Sequence, residues 1–148
     1  APASFDAPLA MNRDATTSRP ALLAFRILVA LLIGIHGWYR LLHGGSPPFG
    51  DWLATQGVPL PHAIAWSITF SEILGSACLA LGVCVRPIAI LLMLVYATGI
   101  ALLHAHEGWF VVGAGRNGSE YSVLLIASLA LIAAAIRDPL WRPRARER

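Results

Sequence analysis

Five ionisable side chains, His36, Arg40, Glu72, His104 and Glu120, stand within or at the ends of long apolar blocks. Glu72 lies ten residues inside its block, which on an α-helix places the carboxylate about 15 Å from the block's end. A carboxylate that deep has to be protonated or paired, because an isolated charge in an apolar surround is costly. His36 sits six residues, about 9 Å, below the end of an earlier block, and Arg40 follows one turn above it on the same face. His104 and His106 close a third block, Glu107 follows, and Glu120 opens a fourth. Read as helices, they form a descending series: Glu120 and His104 near one surface, His36 lower, Glu72 deepest.

Two chemistries use such a set. In a quinone or quinol head-group pocket, His and Arg hold the carbonyl oxygens while carboxylates relay protons. In a haem or metal site, His36 and His104 would ligate from two helices. The quinone reading needs fewer fixed distances and suits the mixture of Arg, His and Glu better. Packing accounts compete with both. Ser67, Ser71, Gly75, Cys78 and Gly82 recur every three or four residues around Glu72, a small-residue stripe suited to close helix contact, across which Glu72 would only hydrogen-bond. A backbone carbonyl would satisfy His36, a solvated helix end explains His106 and Glu107, and Arg26 would snorkel to the headgroups.

Other motifs carry less. Cys78 and Cys84, six residues apart in one block, fall on nearly opposite helix faces and cannot bridge. They read as packing residues, and no CxxC pair or zinc-ligand spacing occurs, so no metal site is expected. GAGRNG spells GxGxxG at Gly113, Gly115 and Gly118, but a dinucleotide fingerprint needs a preceding strand and a βαβ unit. Here its glycines bend a short loop back towards the next block.

The elements that must position these residues follow from composition. Of 148 residues, 57% are hydrophobic and 13% charged, with a mean hydropathy of +0.65. Soluble domains carry about 25% charged residues. The apolar residues cluster in blocks at about 21–42, 62–84, 87–106 and 119–136, each long enough to cross a bilayer core of about 30 Å. A lone strand in lipid cannot satisfy its backbone, so each block is expected to be a helix. The expectation is an all-α membrane protein, a four-transmembrane-helix bundle over 21–136. A polar N-terminal tail (1–20) and a basic tail (137–148) flank it. A start at Met11 would make residues 1–10 a remnant of processing or cloning, and the first block has the character of a signal anchor. The turn at Val85-Arg86 makes the second and third helices antiparallel neighbours, and within HGGSPPFGDWLATQGVPLPH a short interfacial helix fits 49–56.

All 11 basic residues are arginine. Arg13, Arg19, Arg86, Arg137, Arg142, Arg144, Arg146 and Arg148 gather on one side, whereas Arg40 and Arg116 lie on the other. The positive-inside rule then puts both termini in the cytoplasm of an inner membrane, with loops 43–61 and 107–118 outside. Trp38, Tyr39, Phe49, Trp52, Trp109 and Phe110 gather at that outer face as an aromatic belt would. No basic patch interleaves with exposed aromatics, so nucleic acid is not an expected partner.

HGWYRL closing the first helix, FGDWLATQGVP in the outer loop, SEILGSACLALGVCVRP through the second helix, HAHEGWF ending the third and GSEYSVLLIASLAL opening the fourth together resemble the DoxX family of small four-helix membrane proteins. The likeness runs over most of 22–136, and where the family often has Lys this chain has Arg40. It implies association with respiratory or redox assemblies, so other membrane or redox subunits are the expected partners, and an oligomer is compatible with the same reading. His36, Arg40, Glu72, His104 and Glu120 match its polar positions as ligand-binding candidates. With no flavin, iron–sulfur or thiol centre of its own, the chain reads as a membrane subunit binding a quinone-like ligand rather than a complete enzyme. Any catalysis would belong to a quinone-linked oxidoreductase. The rival reading is a structural subunit whose buried polar residues serve helix association.

Overall fold

The computed structural model describes residues 13–135, and the two tails beyond them, with the arginine cluster at 137–148, lie outside the described residues. Most of these residues are helical, with no strand among them. α1 runs Arg13–Leu42, α2 Ser46–Thr55, α3 Pro61–Leu81 and α4 Val85–Gly99. A π-helical turn, Ile100–His104, carries α4 into the short α5, Ala105–Glu107. α6, Glu120–Ala135, closes the described fold. α1 thus begins eight residues before the apolar block at 21 and runs through Pro20, since apolarity marks where a helix is greasy rather than where its backbone starts. α2 is also longer than expected, because Pro47 and Pro48 sit in its first turn, where backbone N–H groups have no intrahelical partner.

α3 ends at Gly82, whose φ of +78° favours glycine, and Val83 N–H returns to the Cys78 carbonyl at 2.9 Å. The chain then re-enters α4 within three residues, so α3 and α4 run antiparallel. α1 packs chiefly on α3, α4 on α6, and α2 lies across α3. The α1–α3 seam is close: a Cβ on Gly37 would stand 2.9 Å from the Glu72 Cβ and 3.0 Å from the Thr69 carbonyl oxygen. Gly34 meets Ser76 in the same way. The seam therefore uses Thr69, Glu72, Ile73 and Ser76, not the stripe beginning at Ser67. Ser67 is exposed, and Gly75 faces Ile88 and Leu92 of α4.

The core fills the half of the bundle nearest the α3–α4 turn. Ile33, Leu79, Val85, Ala89, Leu92, Leu129 and Ile132 are fully buried there. Outward, Leu28, Leu31, Ile35, Leu74, Leu94 and Leu131 are all more than half exposed. So much exposed aliphatic surface suits a lipid surround and not water. α1 from Arg19, α3, and Val85–Glu107 are each long and apolar enough to cross a membrane, and α6 is a shorter apolar helix over its described residues.

Candidate functional site

Arg40 comes from the last turn of α1. Helical side chains lean towards the N-terminus of their own helix, so this guanidinium reaches back into the bundle. Its Nη1 donates to Glu72 Oε2 at 2.9 Å and to Thr69 Oγ1 at 3.4 Å. The Glu72 residue is 3% exposed, so the partner that its depth demands is Arg40. Arg40 Cζ also lies 4.9 Å from the centre of the Phe49 ring on α2, a cation–π contact. Thr69 donates its hydroxyl proton to the Ala65 carbonyl at 2.9 Å, so at the 3.0 Å contact with Ser46 the serine is the donor. Ser46 and Thr69 are both buried. One polar network thus ties α1, α2 and α3 together.

Beside this network is a cavity of about 430 Å³ between α3 and α4, capped by α2. That volume is in the range of about 300–1,000 Å³ common for small-molecule sites. Phe49, Trp52 and Leu53 line it from α2, Ile64 and Ile68 from α3, and Val95, Leu102 and Leu103 from α4 and its π turn. Its polar wall is Arg40, Glu72, Tyr96, Thr98 and His104. The π turn contributes Leu102, Leu103 and His104; such bulges widen a helix locally and often accompany functional sites. The Tyr96 hydroxyl is buried close to the Glu72 carboxylate.

Of the five expected residues, Arg40, Glu72 and His104 come together on this cavity, and His36 and Glu120 do not line it. His36 is exposed, its ring centre 5.7 Å from that of Tyr121 on α6. It is not among the side chains that line the cavity with His104. Glu120 accepts the Val111 N–H at 2.8 Å, while Gly118 and Ser119 N–H groups bond the Phe110 and Gly108 carbonyls. Glu120 thereby folds the loop carrying GAGRNG onto the start of α6. His104 Nδ1 lies 2.6 Å from the Asn117 carbonyl oxygen of that loop. Arg26 does not simply snorkel: its Nη2 donates to the Ala80 carbonyl at 3.3 Å, in the last turn of α3. Cys78 and Cys84 are free thiols. No cluster of three or more metal-ligating side chains occurs among the described residues.

Sequence reading passed over Ser46, Thr69, Tyr96 and Thr98. The last two were detectable as hydroxyls in an otherwise apolar block, directly before Gly99. Thr69 stands three residues before Glu72 and so on its helical face.

Three membrane-length apolar helices, an aliphatic outer surface and a polar group sealed inside define a small multi-pass membrane protein. Its sequence matches the DoxX family over residues 21–105, more than half of the chain, and the protein belongs to that family. No curated protein and no solved structure matches it.

Proposed function

We propose that this protein is a membrane subunit of a redox or respiratory assembly, and that the cavity between α3 and α4 holds the head group of a quinone-like lipophilic ligand. In this reading all four apolar helices span an inner membrane, both termini are cytoplasmic, and the cavity lies in the outer half of the bundle. The observation that carries the proposal is the convergence of Arg40, Glu72 and His104, with Tyr96 and Thr98, on one cavity whose remaining walls are apolar and aromatic. Arg40 supplies N–H donors, Phe49, Trp52 and Tyr96 supply flat surfaces, and the aliphatic walls suit a ring with a hydrocarbon tail. Electrons would pass through the bound ligand or a partner protein, since the described residues hold neither a thiol pair nor a metal-ligand cluster.

A second reading, a scaffolding subunit with no ligand, draws on a groove between α1 and α3 that is lined by Ala30, Gly34, Ser76, Ala77 and Ala80. Small residues of this kind let a partner helix approach closely in lipid. Titration of the purified protein in mild detergent with a short-chain quinone separates the two. Binding is expected to be lost in Val95→Trp, which fills the cavity, and kept in His36→Ala, which is outside it. Absence of binding to the wild type would favour the scaffold.

A further inference from the structure

Arg26 and Arg40 both reach from α1 to α3, but only Arg40 finds a carboxylate there. Nη2 of Arg26 donates to the Ala80 carbonyl at 3.3 Å, and a Cβ on Gly82 would meet Nη1 at 3.0 Å, so glycine leaves the guanidinium room over the end of α3. The carbonyl end of a helix carries only about half a negative charge, so a net positive charge remains at this end of the bundle. Among the described residues the buried Nε of Arg26 makes no hydrogen bond, and no carboxylate pairs with Arg26 or with the exposed Arg19. Arg19 lies seven residues earlier, on the same face of α1. The guanidinium stands at one end of a groove of about 250 Å³ between α1 and α3: Ala80, whose carbonyl holds it, lines that groove, as does Ala30, one turn after Arg26. Buried Gly34 and Ser76 form the floor, and Leu31 and Ile35, each more than half exposed, form the rim. Along α3 the groove runs from Ala80 to Ile73, about 10 Å, which fits within the roughly 15 Å of hydrocarbon in one leaflet.

From this arrangement we infer that the α1–α3 groove binds one acyl chain of an anionic phospholipid, whose phosphate is held by Arg26 and drawn in by Arg19. An apolar groove that ends in a cation without a carboxylate matches a molecule with a hydrocarbon chain below an anionic head. Basic pockets between membrane helices bind lipid head groups through the same chemistry. A partner helix would cover the small residues equally well, but it would have to bring a carboxylate to Arg26. A phospholipid carries its phosphate at the level of the helix ends. The site is distinct from the cavity between α3 and α4, with which it shares no lining residue, and does not depend on a ligand there.

The test titrates the full chain in mild detergent with phosphatidylglycerol and with phosphatidylcholine of identical chains, reading bound lipid by native mass spectrometry. Phosphatidylglycerol is expected to bind about fivefold more tightly, the worth of one arginine near an anionic headgroup layer. Arg26→Gln should abolish that preference and Arg26→Lys should keep it. Ala77→Phe, which fills the groove from an exposed position, should weaken binding of both lipids. Glycerol phosphate in large excess should not displace the bound lipid. The wild-type comparison and Ala77→Phe keep the inference testable even if Arg26→Gln does not fold. Equal binding of the two lipids overturns the inference, as does a preference that survives Arg26→Gln or lipid binding indifferent to Ala77→Phe. Displacement by glycerol phosphate would mark a site for a free anion and also overturns it. So does a dimer that Ala77→Phe dissociates and lipid leaves unchanged, since a second copy would then fill the groove.

Discussion

Breaking the Arg40–Glu72 pair should be unequal from its two sides. The Glu72 side chain is 4% exposed, whereas 22% of the Arg40 side chain is accessible. Arg40→Met strands an enclosed carboxylate without its counter-charge, and removing one partner of a buried pair costs about 3–5 kcal/mol. Glu72→Leu leaves a guanidinium that still has Thr69 and some exposure, and should cost only about 1–3 kcal/mol, the range for an unmade buried hydrogen bond. Arg40→Met with Glu72→Leu removes both charges and should recover most of the loss, since apolar replacement of a buried pair is often neutral or stabilising. Interhelical hydrogen bonds in membrane bundles couple by only about 0.6 kcal/mol on average, so a coupling energy above about 2 kcal/mol would mark a charge pair. Reversible SDS unfolding in mixed micelles, followed by circular dichroism, measures all four proteins. Additive single effects, or a double variant as unstable as the sum of its parents, would refute the reasoning.

Gly37→Ala should separate α1 from α3, because the new Cβ would press on the Thr69 backbone at 3.0 Å, an atom that cannot move aside as a flexible side chain can. A midpoint loss of about 1–3 kcal/mol, typical of overpacking, is expected in the same unfolding assay. Glu120→Gln should leave the bundle intact but loosen the 108–119 loop, read as faster hydrogen exchange at Val111, whose N–H it holds at 2.8 Å. Gln56→Cys, exposed just after α2 in a background lacking Cys78 and Cys84, should be labelled by a membrane-impermeant maleimide from outside intact cells. Labelling only from the cytoplasmic side would invert the proposed topology.

Much of this was legible in the sequence. Helices in lipid are dictated by backbone satisfaction, and apolar blocks of membrane length are hard to misread. Glu72 was visible as a buried carboxylate needing a partner for the same reason. The identity of that partner turned on side-chain reach. His36 and Arg40 are one turn apart, but the face of α1 that meets α3 carries Gly34 and Gly37, and only the long arginine can span from its edge to Glu72. The short imidazole of His36 is left against Tyr121. Glu120 looked like a site residue because it is charged beside an apolar helix, although a carboxylate in the first turn is also well placed to accept backbone N–H groups. The π turn has no sequence signature beyond Gly99, since its five residues, IALLH, would fit an α-helix equally well. Without that turn the place of His104 in the cavity could not be read.

Photoaffinity labelling tests the central claim most directly. A short-chain azidoquinone, photolysed with the purified protein and mapped by peptide mass spectrometry, should modify residues of α2 and the turn after it, Phe49–Val58, and of α4 with its π turn, Val95–His104. An excess of unlabelled short-chain quinone should suppress both sites. Labelling confined to the α1–α6 face around His36 and Tyr121, or spread over the lipid-facing leucines and indifferent to competitor, would contradict a ligand site between α3 and α4.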